Sequence, residues 1–212
     1  MKVLITAGPT REKVDAVRFL SNASSGKMGY ALADAARERG AEVTLISGPV
    51  ALTAPAGVRL IRVESAAEMF DSVAAEFPDC DVLVMAAAVA DYRPARVFPG
   101  KLKKTPGPLT IELERTVDIL SEMGKRKRPN QILVGFAAET ENLENYAREK
   151  LERKNLDFIA ANLASEGFGT DTDTLLVFDR AGRKWRLGSA AKPELARSLL
   201  KIVLPEPDKN LL

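Results

Sequence analysis

Histidine is absent from the 212 residues, which removes the commonest general base and the commonest metal ligand. Cysteine occurs once, at Cys80, so no disulfide can form within the chain and a reducing, cytoplasmic setting is expected. Cys80 stands between Asp79 and Asp81 at a strand start and reads as packing, not as a nucleophile. No apolar run approaches the roughly 20 residues of a membrane span, and Met1-Lys2 leads straight into a strand without the apolar region of a signal peptide. Charge of one sign is not in excess either. A net charge of +2 argues for neither nucleic acid nor membrane as a partner. No internal repeat or interdomain linker is visible. What remains, 46% hydrophobic and 28% charged, describes an ordinary globular chain, one domain over 1–212, long enough to bury a full core.

The chain is organised around Leu4 to Gly29. Val3 to Thr6 is a short apolar strand that breaks at Gly8-Pro9. A long polar loop follows, carrying Arg11, Lys13, Arg18 and Asn22, and a helix begins near Ser24-Ser25-Gly26-Lys27. A strand, a glycine turn and a helix N-terminus make an anion site, because the first helical N–H groups have no internal partners. Ser24 or Ser25 is expected to cap that helix. The loop is too long for a dinucleotide fingerprint, and the Walker pattern fails because Ser21 and Met28 occupy its glycine and hydroxyl positions.

Strands and helices then alternate. A helix over Lys27 to Arg39 ends at Gly40, strands follow at Glu42 to Ile46 and Gly57 to Val63, Ser65 and Glu68 form a capping box for a helix through Ala75, and Asp81 to Met85 is a fourth strand. This pattern predicts an α/β, Rossmann-like fold: a mostly parallel sheet with helices on both faces. After AAAVADY at Ala86 to Tyr92, regularity lapses in a loop insertion over about 93–109, with KLKK at Lys101 to Lys104. Loops of that length in compact domains are more often functional than accidental. Beyond it come a strand-like alternation at Leu109 to Leu113, a helix from Asp118 to Gly124, a strand from Gln131 to Phe136, a charged helix from Leu143 to Lys154 and a strand from Phe158 to Asn162. A small C-terminal β-hairpin (Thr174 to Phe178 with Lys184 to Leu187), a helix from Lys192 to Val203 and a loose tail over 205–212 complete the chain.

In open parallel sheets ligands sit beyond the carboxyl ends of the strands, where Gly8, Asp91, Phe136 to Thr140 and Asn162 fall. Asp91 is placed either to accept from a ribose hydroxyl or to cap a turn, and Phe136 either to stack on a base or to fill core. KLKK reads as a solvated basic loop or as a lid over a triphosphate. Tyr146 and Lys150 have the Y-x-x-x-K spacing of short-chain dehydrogenases, which leaves an NAD(P)-dependent oxidoreductase as a rival, although i,i+4 pairs are also common on exposed helix faces. A nucleotide-binding module without turnover is the non-enzymic alternative.

Six segments together resemble the bacterial phosphopantothenate–cysteine ligase family, also called phosphopantothenoylcysteine synthetase. They are ITAGPTRE at Ile5 to Glu12, RFLSNASSGKMG at Arg18 to Gly29, AAAVADY at Ala86 to Tyr92, KLKK at Lys101 to Lys104, GFAAET at Gly135 to Thr140 and REKLERKNLDFIAAN at Arg148 to Asn162. The resemblance implies CTP-dependent ligation of 4′-phosphopantothenate to cysteine. The substrate carboxylate attacks the α-phosphorus of CTP and releases pyrophosphate; the cysteine amine then displaces CMP from the acyl-cytidylate. Such chemistry asks for positioning and charge neutralisation more than for an enzymic nucleophile.

By that resemblance Asn22 and Lys101 are the catalytic residues, Asn22 donating its amide to the developing oxyanion and Lys101 neutralising the triphosphate with help from Lys103 and Lys104. Arg18, Asn22 and Gly26 would bind the phosphopantothenate end. Met85, Ala86, Ala87, Asp91, Val117, Asp118, Ile119, Leu120, Phe136, Lys150 and Lys154 would bind the nucleotide. The family's Asn-Pro-Asp turn reads Thr116-Val117-Asp118 here, a departure that bears on CTP against ATP. Mg²⁺ is implied, held mostly by triphosphate oxygens and water; no flavin is expected on this chain. A homodimer is implied, and so is a fused or separate FMN-dependent decarboxylase.

Overall fold

The computed structural model describes residues 1–104, 106–139, 142–163 and 172–204, so Thr140 and the 205–212 tail expected to be loose lie outside the described residues. The strands are β1 (Lys2–Ala7), β2 (Arg11–Lys13), β3 (Phe19–Ser21), β4 (Glu42–Ser47), β5 (Arg59–Arg62), β6 (Val82–Met85), β7 (Tyr92–Pro94), β8 (Leu113–Arg115), β9 (Ile132–Glu139), β10 (Phe158–Leu163), β11 (Thr172–Asp179) and β12 (Lys184–Ala191). The helices are α1 (Lys27–Glu38), α2 (Ala66–Glu76), α3 (Ile119–Arg126), α4 (Leu143–Arg153) and α5 (Lys192–Val203).

An eight-stranded sheet runs in the order β12-β11-β10-β9-β6-β1-β4-β5, parallel from β10 to β5. Side chains alternate across a strand, so β1 feeds two cores. Val3, Ile5 and Ala7 pack with Leu32 and Ala36 of α1 and with Leu195, Leu199 and Val203 of α5. Leu4 packs on the other face with Met69 and Val73 of α2, Met123 of α3 and Leu151 of α4. This is the Rossmann-like α/β architecture expected, with helices on both faces. From β1 the chain winds one way through β4 and β5 and then the other way through β6, β9 and β10. The connections leaving β1 and β6 therefore diverge and open a crevice at their carboxyl ends.

Several local readings need correction. The polar loop after β1 contains a hairpin, β2 paired with β3, followed by the α1 N-terminus. Neither Ser24 nor Ser25 caps α1: the N-cap is Gly26 at φ 76°, without a side-chain cap bond, and Ser24 Oγ accepts from the Gly26 N–H at 3.3 Å. A Cβ at Gly26 would lie 3.3 Å from Gly8 Cα, so left-handed backbone and close approach both select glycine. The alternation at Leu109 to Leu113 is strand only at its last residue: 109–112 are irregular and exposed or half-buried, and the hairpin arm is β8, which starts at Leu113 and pairs antiparallel with β7. The C-terminal hairpin is larger than expected and is not an appendage, because β11 joins β10 antiparallel and extends the main sheet. The capping box is half right. Ser65 Oγ accepts from Glu68 N–H at 3.2 Å, while Glu68 reaches back to Glu64 N–H at 2.7 Å, not to Ser65.

Cys80 is 4% exposed, and burial beside Asp81 pushes its thiol up to about 12. It stays protonated near neutral pH and acts as packing. No helix among the described residues is long and apolar enough to cross a membrane.

Candidate functional site

The crevice is sewn together by the two segments that form it. Ala87 N–H donates to Thr6 Oγ1 at 3.1 Å, Ala88 N–H to Gly8 O at 2.9 Å, and Ala90 N–H to Thr10 Oγ1 at 3.0 Å. These bonds hold the AAAVADY stretch against the turn after β1, with the α1 N-terminus alongside. A cavity of about 290 Å³ opens there, walled by Gly26 and Lys27 of that terminus, Ala86, Asp91, Phe136 and Lys150. A second cavity of about 130 Å³ adjoins it, lined by Met85, Val117, Asp118, Ile119, Leu120 and Lys154. Ala87, Asp91, Phe136 and Lys150 belong to both walls, so the two form a continuous trough.

Its polar groups are held in place. Lys150 Nζ donates to the Phe136 carbonyl at 2.8 Å, tying α4 to β9. Lys154 Nζ pairs with Asp118 at 2.7 Å, and Asp118 also accepts from Ser121 N–H at 3.0 Å as the α3 N-cap. Burial opposes charge on Asp118, but the Lys154 ammonium and the Ser121 N–H outweigh it and hold the carboxyl below its usual range. A depressed pKa in the fold means this contribution is present above the ordinary value of 3.8 and is lost as pH falls through the folded value. The pair is intact at neutral pH. Thr116 holds the turn to the 86–91 segment with two bonds, Oγ1 donating to Ala90 O at 2.6 Å and N–H to Asp91 O at 2.9 Å.

The expected nucleotide residues thus gather on one trough, except Lys101, which lines neither cavity. The expected catalytic pair and Arg18 line neither cavity. Asn22 follows β3, and its amide nitrogen donates to Ala88 O at 3.2 Å and Val89 O at 3.1 Å. Donation to an oxyanion therefore requires the amide to leave one of these carbonyls. Arg18 pairs with Asp15 at 3.1 Å and donates to Leu102 O beside Lys101, so arginine and lysine are neighbours. Tyr146 is 46% exposed and lines neither cavity, so Y-x-x-x-K is not assembled at the trough.

Sequence reasoning missed Lys27, Asp173 and Lys192, which also line the larger cavity, with Asn162 beside them. Asn162 Nδ2 donates to Asp173 Oδ2 at 2.8 Å, and Lys192, only 7% exposed, opens α5. Asn162 at a strand end was visible. Lys192 could have been marked by its place directly before Pro193 at a helix start; nothing in the sequence signals Asp173. Three lysines (Lys27, Lys150 and Lys192) and the positive end of α1 make the cavity suited to a polyanion. No group of three His, Cys, Asp or Glu side chains among the described residues could hold a metal ion. A Mg²⁺ carried by phosphate oxygens and water fits this wall, with the Asp91 carboxylate facing the same cavity.

Comparisons with known proteins place the chain in a family and a fold. The family described as DNA/pantothenate metabolism flavoprotein C-terminal domain matches residues 1–205. The coenzyme A biosynthesis bifunctional protein CoaBC of Bacillus subtilis is 51% identical over 203 residues, covering 94% of this chain and 50% of that protein. The chain thus spans about half the length of the curated relatives it matches. The crystal structure of a CoaBC C-terminal domain superposes with TM-score 0.83 at 46% identity, across 95% of this chain and 93% of that one. A Cab2 mutant at 18% identity shares the fold, with TM-score 0.80 across 96% of this chain and 85% of that one. With residues 1–205 matched and a relative 51% identical across 94% of the chain, the chain belongs to the family of DNA/pantothenate metabolism flavoprotein C-terminal domains.

Proposed function

We propose that this domain ligates 4′-phosphopantothenate to cysteine, activating the carboxylate with CTP through an acyl-cytidylate. The observation that carries the reading is the continuous trough from the α3 turn to the α1 N-terminus. A nucleotide fits it lengthwise: base against Val117 to Leu120 and Phe136, ribose at Asp91, and phosphates toward Gly26 and Lys27. The smaller cavity, about 130 Å³, has room for a nucleobase, and the choice of CTP follows the family resemblance. The CoaBC relatives are described by coenzyme A biosynthesis, and the Cab2 neighbour was solved with phosphopantothenate-cysteine. Both support the substrates.

In this reading the chain positions and neutralises. Lys150, fixed by the Phe136 carbonyl, and the α1 terminus hold the phosphates while Asp91 holds the ribose. Mg²⁺ supplies further neutralisation when bound. Arg18 holds the phosphopantothenate end, and Asn22 supports amide formation. The remaining length of the bifunctional relatives would carry the FMN-dependent decarboxylase, fused or separate. An oxidoreductase reading loses its tyrosine, since Tyr146 lines neither part of the trough.

The test is chemical trapping. Incubation with phosphopantothenate and CTP without cysteine should accumulate 4′-phosphopantothenoyl-CMP, visible by mass; its absence would contradict the reading. Lys101→Gln should slow this activation about tenfold or more, the loss expected for one charged contact. An unchanged first-step rate would remove the lysine's role.

We also propose a homodimer. Exposed apolar side chains cluster on the two small hairpins, with Val17, Phe19 and Leu20 on and beside β2–β3 and Tyr92 and Leu113 on β7–β8. Such a patch is costly to leave in water. Sedimentation at twice the 23.0 kDa chain mass is expected, and a monomer at micromolar concentration would contradict it.

A further inference from the structure

Asp15 sits in the turn of the β2–β3 hairpin, and its side chain is fully buried although Ala16, Val17 and Arg18 after it are exposed. One oxygen builds the turn: Oδ1 accepts from Val17 N–H and Arg18 N–H, both at 2.8 Å. An aspartate that merely shapes a turn needs no more than this. The other oxygen reaches out of the hairpin. Oδ2 accepts from Leu102 N–H at 3.0 Å, 87 residues away, and pairs with Arg18 Nε at 3.1 Å. Arg18 closes the triangle by donating to the Leu102 carbonyl, and Phe98 N–H donates to Val14 O at 3.0 Å nearby. Leu102 is the second residue of Lys101 to Lys104, in a stretch without helix or strand from Ala95 to Glu112 among the described residues. The N–H groups of Val17, Leu102 and Arg18 overcome burial and hold the Asp15 carboxyl below its usual range, so these bonds are made to a charged acceptor at neutral pH.

We propose that Asp15 is a positioning residue that latches the Lys101–Lys104 segment to the Arg18 hairpin, so that the lysine and the arginine are presented to the reacting groups as one unit. This deepens the ligase reading and rests on it. An irregular segment tied at few points is ordered at low cost only if its ties are strong. The two-sided carboxylate supplies such a tie, with no other role in the trough.

Asp15→Asn tests this in the whole protein, because its carbonyl oxygen can keep the turn while its NH₂ faces the Leu102 N–H, donor against donor. Two readouts are needed. Trypsin cleavage after Lys101, Lys103 or Lys104, mapped by mass, should accelerate about tenfold, the consequence of losing one charged hydrogen bond. The pyrophosphate-releasing half-reaction should fall about tenfold in the parent but little in a Lys101→Gln background, because the latch acts through that lysine. Unchanged cleavage in the segment, or equal losses in both backgrounds, would overturn the proposal and leave Asp15 as a turn former. Were no protein in the cycle to release pyrophosphate, the ligase reading would fail, and the cleavage arm would still decide whether the latch exists.

Discussion

Asn22→Asp should leave pyrophosphate release largely intact and slow amide formation about 10²–10³-fold, the usual loss on removing an oxyanion donor. Asn22 lines neither half of the trough, so activation does not depend on it directly. Its NH₂ is shared between the Ala88 and Val89 carbonyls. A carboxylate has no hydrogen to offer them, and it would place negative charge against two acceptors and beside any developing oxyanion. The acyl-cytidylate should therefore accumulate in the presence of cysteine, measured by quenched flow and mass. A normal product rate would contradict the donor role. Equal losses in both steps would assign Asn22 instead to shaping the 86–91 segment.

Gly29→Ala should lower the melting temperature by about 2–10 °C, from an overpacking cost of about 1–3 kcal/mol. Gly29 is where α1 sits down on β1. A Cβ there would meet Ala7 Cβ at 2.5 Å and the Ala7 Cα and Thr6 O at 2.9 Å, and two of these atoms are backbone. The helix must then lift at its N-terminus, the end that faces the phosphates. Nucleotide binding should weaken along with stability, read as a raised KM for CTP. Gly188→Ala is the control, since nothing lies within 4 Å of its Cβ position. An unshifted melting temperature for Gly29→Ala would mean that the close α1–β1 contact does not set the site.

The fold was legible because its signals were periodic. Buried runs such as Val82–Met85, separated by amphipathic helices, fix a parallel sheet with little ambiguity. The hairpins were not. β2, β3, β7 and β8 are three residues each and mostly exposed, so neither alternation nor composition marks them, and LTIEL alternates without being buried. The Gly26 cap was hidden by two better capping residues beside it, because the reason for glycine is the approach of Gly8 from another part of the chain. Ala86, Asp91, Phe136 and Lys150 of the trough stand in motifs legible in the sequence; Lys27 stands in one too, but the failed Walker pattern there hid it. Asp173 and Lys192 come from the extension of the sheet by β11 and the start of α5, elements whose sequence role is packing, and only the closed fold brings them to the cavity.

The most direct test of the account is pyrophosphate release by the purified domain with 4′-phosphopantothenate, comparing CTP with ATP and adding or omitting cysteine. Limited release with CTP that becomes catalytic when cysteine is added, with ATP far weaker, is the predicted result. No release with either nucleotide, with or without cysteine, would contradict it.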